Sequence, residues 1–340
     1  MDRESIAIIL LAFLVSGLAP LLIIPLLIRR EVIDAPNARS SHRQNAVRGV
    51  GLSPLMGIVV GLGLLMSSTA FPGAGPVLIL AVSALLAAGI GFVEDVSGIP
   101  VKYRALMQVL VGSLAALAVG LVFAQPWWWL IVIAIWVAGY INVANFMDGV
   151  DGLSSLHGVV VGVFFGILGK AENLPWLSDS GWILAVVFLA FLPWNLFRRG
   201  TFLGDVGSYL LGAVVAVMAA LAIAAGVPVL VALSPLAIYL FDTSTTLAKR
   251  VVRGERWFEA HRSHVYQRLT LLGISHFSVA IIVAAGTVLT CLGGLLVARD
   301  PALWPVLVVD IAFIGLVYLG LPRVISLAQR RIKRREVSAT

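Results

Sequence analysis

The chain has 340 residues, of which 60% are hydrophobic and 12% charged, with a mean hydropathy of +1.02. Soluble domains carry charge on about a quarter of their residues, so this composition excludes a soluble protein and implies an all-α, polytopic membrane protein. A lone cysteine, Cys291, excludes an intrachain disulfide framework and a thiol metal site, and the net charge of +7 reads as basic loops that set topology and meet anionic lipid, with no nucleic-acid partner.

At about 20 apolar residues per span, Pro, Gly and charge clusters divide the chain into about eleven helices. The expected limits are 5 to 28, 51 to 70, 77 to 93, 105 to 123, 127 to 143, 153 to 169, 181 to 197, 208 to 225, 229 to 248, 276 to 297 and 303 to 321. The first run outlasts a signal-peptide core and lacks a small-residue cleavage pattern, so it reads as a retained anchor. Residues 1 to 340 then form one integral membrane domain, with longer loops at 29–50, 94–104, 144–155, 197–207 and 249–275. All but Arg3, Lys170 and Arg299 of the 24 Lys and Arg residues fall on the side of those loops. The positive-inside rule makes that side cytoplasmic, with the N-terminus periplasmic and the C-terminus cytoplasmic. Trp127, Trp128 and Trp129 after Pro126 read as an aromatic belt at the opposite interface. No alternation of strand type stands out.

Four of the cytoplasmic segments hold the unusual polar residues. Glu94 and Asp95, followed by Lys102 and Arg104, place adjacent carboxylates at a helix end, where they repel unless a cation or shared proton relieves them; a solvated loop is the bland alternative. Asn142, Asn145, Asp148 and Asp151 recur every third residue. On one straight helix the outer two would drift about 180° apart, so Gly149 and Gly152 are expected to break the helix around a site; a plain polar turn competes with this reading. Asn195 and Phe202 precede Gly204-Asp205-Val206-Gly207-Ser208, in which Asp205 reads either as a helix cap or as a hard-oxygen Mg²⁺ ligand. The fourth segment, Lys249 to Arg268, holds His261, Arg262 and His264, a set suited to a multiply charged phosphate, with a zinc pair as its rival. Carboxylates and amides for Mg²⁺, with Arg, Lys and His for phosphate, are the parts of a phosphoryl-transfer site, and no Walker A or dinucleotide fingerprint accompanies them.

Glu94-Asp95, then N-x-x-N-F-x-D-G-x-D-G-L from Asn142 to Leu153, then F-x-G-D-x-G-S from Phe202 to Ser208, then a histidine motif, resembles the polyprenyl-phosphate N-acetylhexosamine-1-phosphate transferases. The resemblance runs from about residue 29 to 275, and Asp34 to His42 with His261 to Arg268 look most like the O-antigen-initiating branch. It implies transfer of a sugar-1-phosphate from a UDP-N-acetylhexosamine to undecaprenyl phosphate in the bacterial inner membrane, with Mg²⁺ or its substitute Mn²⁺, and it leaves room for a homodimer. By motif, Asp205 and Asn145 would hold the metal, and Lys102 with Arg104 the lipid phosphate. Asp95, beside Glu94, would be the candidate base. Asp148 and Asp151 would line the nucleotide side, and Arg48, Asn142, Asn195, Phe202, His261, Arg262 and His264 would bind the nucleotide sugar. Three positions depart from the family pattern: Glu94 stands for its usual Asp, Val47-Arg48-Gly49-Val50-Gly51 for Pro-Arg-x-Gly-Gly, and His264-Val265-Tyr266-Gln267 for a histidine run. The rival readings are a multipass secondary transporter and an inactive relative kept as a scaffold.

Overall fold

A computed structural model describes residues 3–34, 46–68, 73–198, 200–256 and 261–339. Positions 35–42 of the first motif, with Arg39, Arg43 and Arg199 of the basic set, lie outside the described residues. Ten helical segments among those described are long and apolar enough to cross a bilayer, and the helix Leu52–Ser67 is apolar but shorter.

The first span, Arg3–Arg29, is two helices, α1 (Arg3–Leu18) and α2 (Pro20–Arg29). Pro20 at the start of α2 and Pro25 within it remove backbone donors, so the break falls there. A two-residue antiparallel pair follows, β1 (Ile33–Asp34) with β2 (Ala46–Val47), too short to leave an alternation in the sequence. The helices α3 (Leu52–Ser67), α4 (Ala74–Ser97), α5 (Val101–Phe123), α6 (Trp127–Met147), α7 (Leu153–Ala171) and α8 (Pro175–Phe197) follow. Next come α9 (Gly204–Ala224), α10 (Val229–Leu233), α11 (Ala237–Val252), α12 (Val265–Leu271), α13 (His276–Arg299) and α14 (Trp304–Ala339). The expected last span at 303 to 321 is therefore only the first part of a 36-residue helix that carries on through the basic tail.

The bundle is built around α9, in which every residue from Val206 to Ala222 is buried. A helix apolar on all sides is stable only when surrounded, and α9 is enclosed chiefly by α4 and α6, with α3, α5 and α7 completing the ring. Small residues allow this. A Cβ on Gly91 of α4 would lie 2.6 Å from Val206 Cα and closer still to the carbonyl of Asp205, so the two backbones touch. The pairs α7 with α8 and α1 with α3 and α8 flank this core, and α13 and α14 pack on the far side against α7 and α11. Asp310, within the last span, faces α13, where a Cβ on Gly293 would lie 2.6 Å from its Oδ2, in line with a helix-packing role. Trp127 and Trp128 are exposed and Trp128 stacks on Trp129 with ring centroids 5.4 Å apart, at the end of the bundle opposite Asp95 and Asp205.

Candidate active site

The C-terminal ends of α4 and α6 and the N-terminal end of α9 meet at one end of the bundle. Helix α4 stops at Gly98, whose φ of +67° suits glycine, and Pro100 then opens α5, so the chain reverses within three residues of Ser97. Asp95, in the last turn of α4, accepts the Asp205 N–H on Oδ1 at 3.0 Å and the Val206 N–H on Oδ2 at 3.0 Å. The first-turn amides of a helix have no partners within it and favour an anion. The cap of α9 is thus Asp95, supplied from another helix, and Asp205 is left to point elsewhere. Gly204, at φ +72°, is held between Asp95 and the Gly49 amide, where a Cβ would lie 2.6 Å and 2.7 Å from them. With both oxygens engaged in this cap, Asp95 positions Asp205 in the described structure.

Asp205 Oδ1 accepts the Asn145 amide at 2.6 Å, and the same Nδ2 lies 3.1 Å from Ser208 Oγ. Ser208, one turn beyond Asp205, was part of the quoted motif without an assigned task. The charge of Arg48 acts on both Asp95 and Asp205. Its backbone is set in place by Arg48 N–H to Val32 O at 3.2 Å, Val47 N–H to Gly200 O at 2.7 Å and Gly51 N–H to Leu203 O at 2.9 Å. Those bonds tie the segment around β2 to the entry of α9.

Helix α6 ends at Met147, and Asp148 takes φ −87°, ψ +63°, outside the helical region. Gly152, at φ +81°, precedes α7, so the acidic repeat does break between its members as its spacing required. Burial, assisted by the charges of Asp205 and Asp151 and opposed by the Ser154 hydroxyl, pushes the Asp148 carboxyl up to about 7. Asp151 pairs with His276 Nδ1 at 3.0 Å, linking this loop to the start of α13; no local pattern in the sequence marks His276. Asn195 braces the loop from below: its Oδ1 accepts Gly152 N–H at 2.7 Å and Ser155 Oγ at 3.2 Å, and its Nδ2 donates to Thr201 O at 3.1 Å. Its amide is therefore occupied by the fold. Asn142 departs from the group, donating to Gln108 Oε1 of α5 at 2.6 Å and to Ala138 O at 2.9 Å. Half-buried Phe202 sits beside β2, its N–H on Val47 O at 3.3 Å.

Glu94 accepts Arg104 at 3.0 Å and the Ile99 N–H at 2.6 Å, so this pair ties α4 to α5. Exposed Lys102 lies over the Tyr103 ring, 4.7 Å from its centroid. Tyr103, with Leu85, Leu86, Ile90, Val93 and Met107, lines an apolar cavity of about 590 Å³ between α4 and α5. Leu85, Leu86, Val93 and Tyr103 are all exposed, so the cavity faces the outside of the bundle.

The histidine segment divides. His264 is buried at 2% exposure, with Nδ1 3.0 Å from Asp242 Oδ1, whereas His261 stays half-buried, its Nδ1 2.9 Å from Ser263 Oγ. Burial, with the charges of His264 and Arg250 adding to it and Asp242 opposing, lowers the His261 imidazole to about 4. Half-buried Arg262 lies between them in the chain. Tyr266 OH donates to Phe146 O at 2.9 Å, which sets this segment against the end of α6.

The model of glycosyl transferase family 4 matches residues 77–245. A phospho-N-acetylmuramoyl-pentapeptide-transferase of Synechococcus sp. (strain RCC307) is 30% identical over 260 residues, covering 64% of this chain and 72% of the relative. The chain belongs to glycosyl transferase family 4. Similarity to a probable undecaprenyl-phosphate N-acetylglucosaminyl 1-phosphate transferase of Bacillus subtilis (strain 168) extends over 94% of this chain and 92% of the relative at 24% identity. An undecaprenyl-phosphate alpha-N-acetylglucosaminyl 1-phosphate transferase of Yersinia pestis is 27% identical over 80% of this chain and 78% of its own. The family-4 match takes in α4 through most of α11, and so Asp95, Asn145, Asp148, Asp205 and Asp242, and ends before the histidine segment.

Proposed function

We propose that this family-4 protein moves an N-acetylhexosamine-1-phosphate from a UDP-sugar to undecaprenyl phosphate, giving the lipid diphosphate sugar and UMP. The observation that carries the reading is the convergence of Asp95, Asn145 and Asp205 from three helices at a membrane-helix end that adjoins an apolar cavity. A soluble, doubly charged nucleotide sugar and an acceptor with a long hydrocarbon chain need those two environments side by side. The names of the Bacillus subtilis and Yersinia pestis relatives point to the same pair of substrates. The resemblance of the histidine segment favours the first membrane step of O-antigen or a related envelope polysaccharide, with the site on the cytoplasmic face of the inner membrane, as the positive-inside rule requires.

A divalent ion fits the donor set. Asp205 offers a hard carboxylate beside the Asn145 amide, and its charge acts on Asp148. Among the described residues no three His, Cys, Asp or Glu side chains cluster as a complete cage. Mg²⁺ takes one or two carboxylates and fills its shell with water and phosphate oxygens, so Asp205 and Asn145 would hold it against the diphosphate. When bound, it supplies neutralisation of the charge on the diphosphate.

The chain's own residues do the rest. The cap on α9 fixes the Asp205 backbone, and thereby its carboxylate, without using the Asp205 side chain. In this reading Lys102, whose Nζ lies over the ring of cavity-lining Tyr103, would meet the lipid phosphate while the polyprenyl chain lies along α4 and α5. Glu94 neutralises Arg104 and keeps the α4–α5 turn closed. A phosphate oxygen of the lipid attacks the β-phosphorus, the bond from that phosphorus to the bridging oxygen breaks, and UMP departs with the electron pair. A phosphate monoester is already mostly ionised at neutral pH, its second pKa being about 6, so no strong base is needed and Asp95 is free to serve as the cap.

The test is the purified protein in detergent with undecaprenyl phosphate, Mg²⁺ and a panel of UDP-N-acetylhexosamines, following UMP and the lipid product together. Equal amounts of both from one sugar support the reading; absence of both with every sugar refutes it. Inversion at a chirally labelled β-phosphorus is expected for direct attack, and retention would require a covalent intermediate.

A further inference from the structure

Asp242 lies in α11, 0% exposed, and the family reading above gives it no task. Its Oδ1 accepts the Val265 N–H at 3.0 Å, His264 Nδ1 at 3.0 Å and Thr246 Oγ1 at 3.3 Å. Its Oδ2 accepts the Tyr318 hydroxyl at 2.7 Å and the Tyr266 N–H at 3.3 Å. One carboxylate thus gathers five donors from α11, from the first turn of α12 with its preceding residue, and from α14. The two oxygens of a carboxylate offer about four lone-pair sites, so five donors leave none free. A buried carboxylate is costly to place, and an apolar side chain of similar volume would hold three helices together at less expense. The arrangement is better explained by what it orients.

A carboxylate accepts only, so the Nδ1 facing Asp242 carries the proton and Nε2 stands on the opposite edge of the ring. The ring centroid of His264 is 4.9 Å from that of His261 and 6.1 Å from that of Phe146, the residue after Asn145. Tyr266, the second residue of α12, is held by Asp242 through its backbone and holds the Phe146 carbonyl through its hydroxyl. The Asp242 carboxylate is therefore joined by short contacts to the end of α6 that bears Asn145 and Asp148.

We infer that Asp242 is a positioning residue for the transfer reaction: by binding Nδ1 of His264 and capping α12, it sets the orientation of the His261 to His264 segment against the nucleotide-sugar side of the site. This rests on the function proposed above. The conformation of that segment is then governed from inside the bundle, by α11 and α14, and Asp242 influences the substrate only through His264 and its neighbours.

The experiment compares wild type, Asp242→Asn, His264→Gln, the double variant and Tyr318→Phe in the UMP-release assay, with thermal unfolding of each. Asn replaces acceptor sites by an NH₂ group, so at least one of the five donors is left facing another donor. Asp242→Asn is expected to lower kcat about 10- to 100-fold with the KM for undecaprenyl phosphate within about two-fold of wild type, as loss of an orienting partner does. The double variant is expected to lose no more than the larger single loss, because both act along one path. Tyr318→Phe leaves the His264 contact in place and is expected to lower the unfolding midpoint while keeping kcat. Losses that multiply in the double variant, an Asp242→Asn kcat equal to wild type, or a Tyr318→Phe loss as large as that of Asp242→Asn would overturn the inference. The wild-type protein gives an independent reading: ¹⁵N shifts of labelled His264 should show a protonated Nδ1, and a bare Nδ1 would overturn it even if Asp242→Asn does not fold. Wild type that turns over beside an equally active Asp242→Asn refutes this inference alone, whereas wild type that releases no UMP refutes the function.

Discussion

The contact between α4 and α9 gives the sharpest structural test, through Gly91→Ala. Gly91 lies one helical turn before Asp95, on the same face of α4. A methyl group there would stand 2.6 Å from Val206 Cα and would meet the Asp205 carbonyl as well, all backbone atoms that cannot rotate away. Carbon atoms pack at about 3.5–4.0 Å, so α4 must retreat from α9 by about 1 Å. Asp95 rides on the same helix, and its two 3.0 Å bonds to the amides of Asp205 and Val206 would lengthen by a similar amount. Overpacking of this kind costs about 1–3 kcal/mol of stability, and a misplacement of about 1 Å at a reacting centre costs on the order of 100-fold in rate. The assay is UMP release at saturating substrates, with thermal unfolding in detergent on the same sample. Gly63→Ala in α3 is the matched control, since a Cβ there meets nothing within 4 Å; it should be neutral or stabilising by up to about 1 kcal/mol. A Gly91→Ala protein with the kcat and unfolding midpoint of wild type would show that the backbone approach does not set the position of Asp205.

Other consequences concern single residues. Asn195→Ala orphans the buried Gly152 N–H, which is expected to cost about 1–3 kcal/mol; an unfolding midpoint equal to wild type would contradict the brace. Glu94→Gln keeps an acceptor for the Ile99 N–H and is expected to lower kcat less than about 5-fold, whereas Asp95→Asn turns an NH₂ toward one of the α9 amides and should cost about 10- to 100-fold; the reverse order in steady-state kinetics would assign the chemistry to Glu94. His261 is lowered to about 4, so the folded protein takes up its proton later than the unfolded chain as pH falls. Its contribution to stability is therefore present above the ordinary imidazole range and lost as pH drops from about 6.5 toward 4. Ring-carbon NMR shifts of labelled protein check this, and a midpoint near 6.5 would contradict the burial of the ring.

The spans were legible because about 20 consecutive apolar residues have few other uses, and the break in α6 was legible because four polar residues at a three-residue spacing cannot share one helical face. What lay beyond the sequence were partners distant along the chain. Asp95 caps a helix that begins 109 residues later, at Gly204, and supplies the cap that one of the two sequence readings of Asp205 gives to Asp205. Asn142 fits the three-residue pattern yet turns to Gln108, since only the packing of α5 decides which side of α6 faces the site. His264 looked like a surface phosphate binder because its neighbours are basic, but the acid that draws it inward lies in α11. His276 and Asp242 escaped for the same reason: each is a single polar residue whose partner is set by tertiary contact alone. The pairing of Ile33–Asp34 with Ala46–Val47 is two residues long, below the length at which alternation carries information.

The central claim is that Asp205, held by the Asp95 cap and by Asn145, is the carboxylate on which transfer depends. Its most direct test is Asp205→Asn in the coupled measurement of UMP and lipid diphosphate sugar, at an unfolding midpoint matched to wild type. Removing one of the few groups that stabilise transferring charge is expected to lower kcat by about 100-fold or more. An Asp205→Asn protein that forms both products at the wild-type rate would contradict the claim.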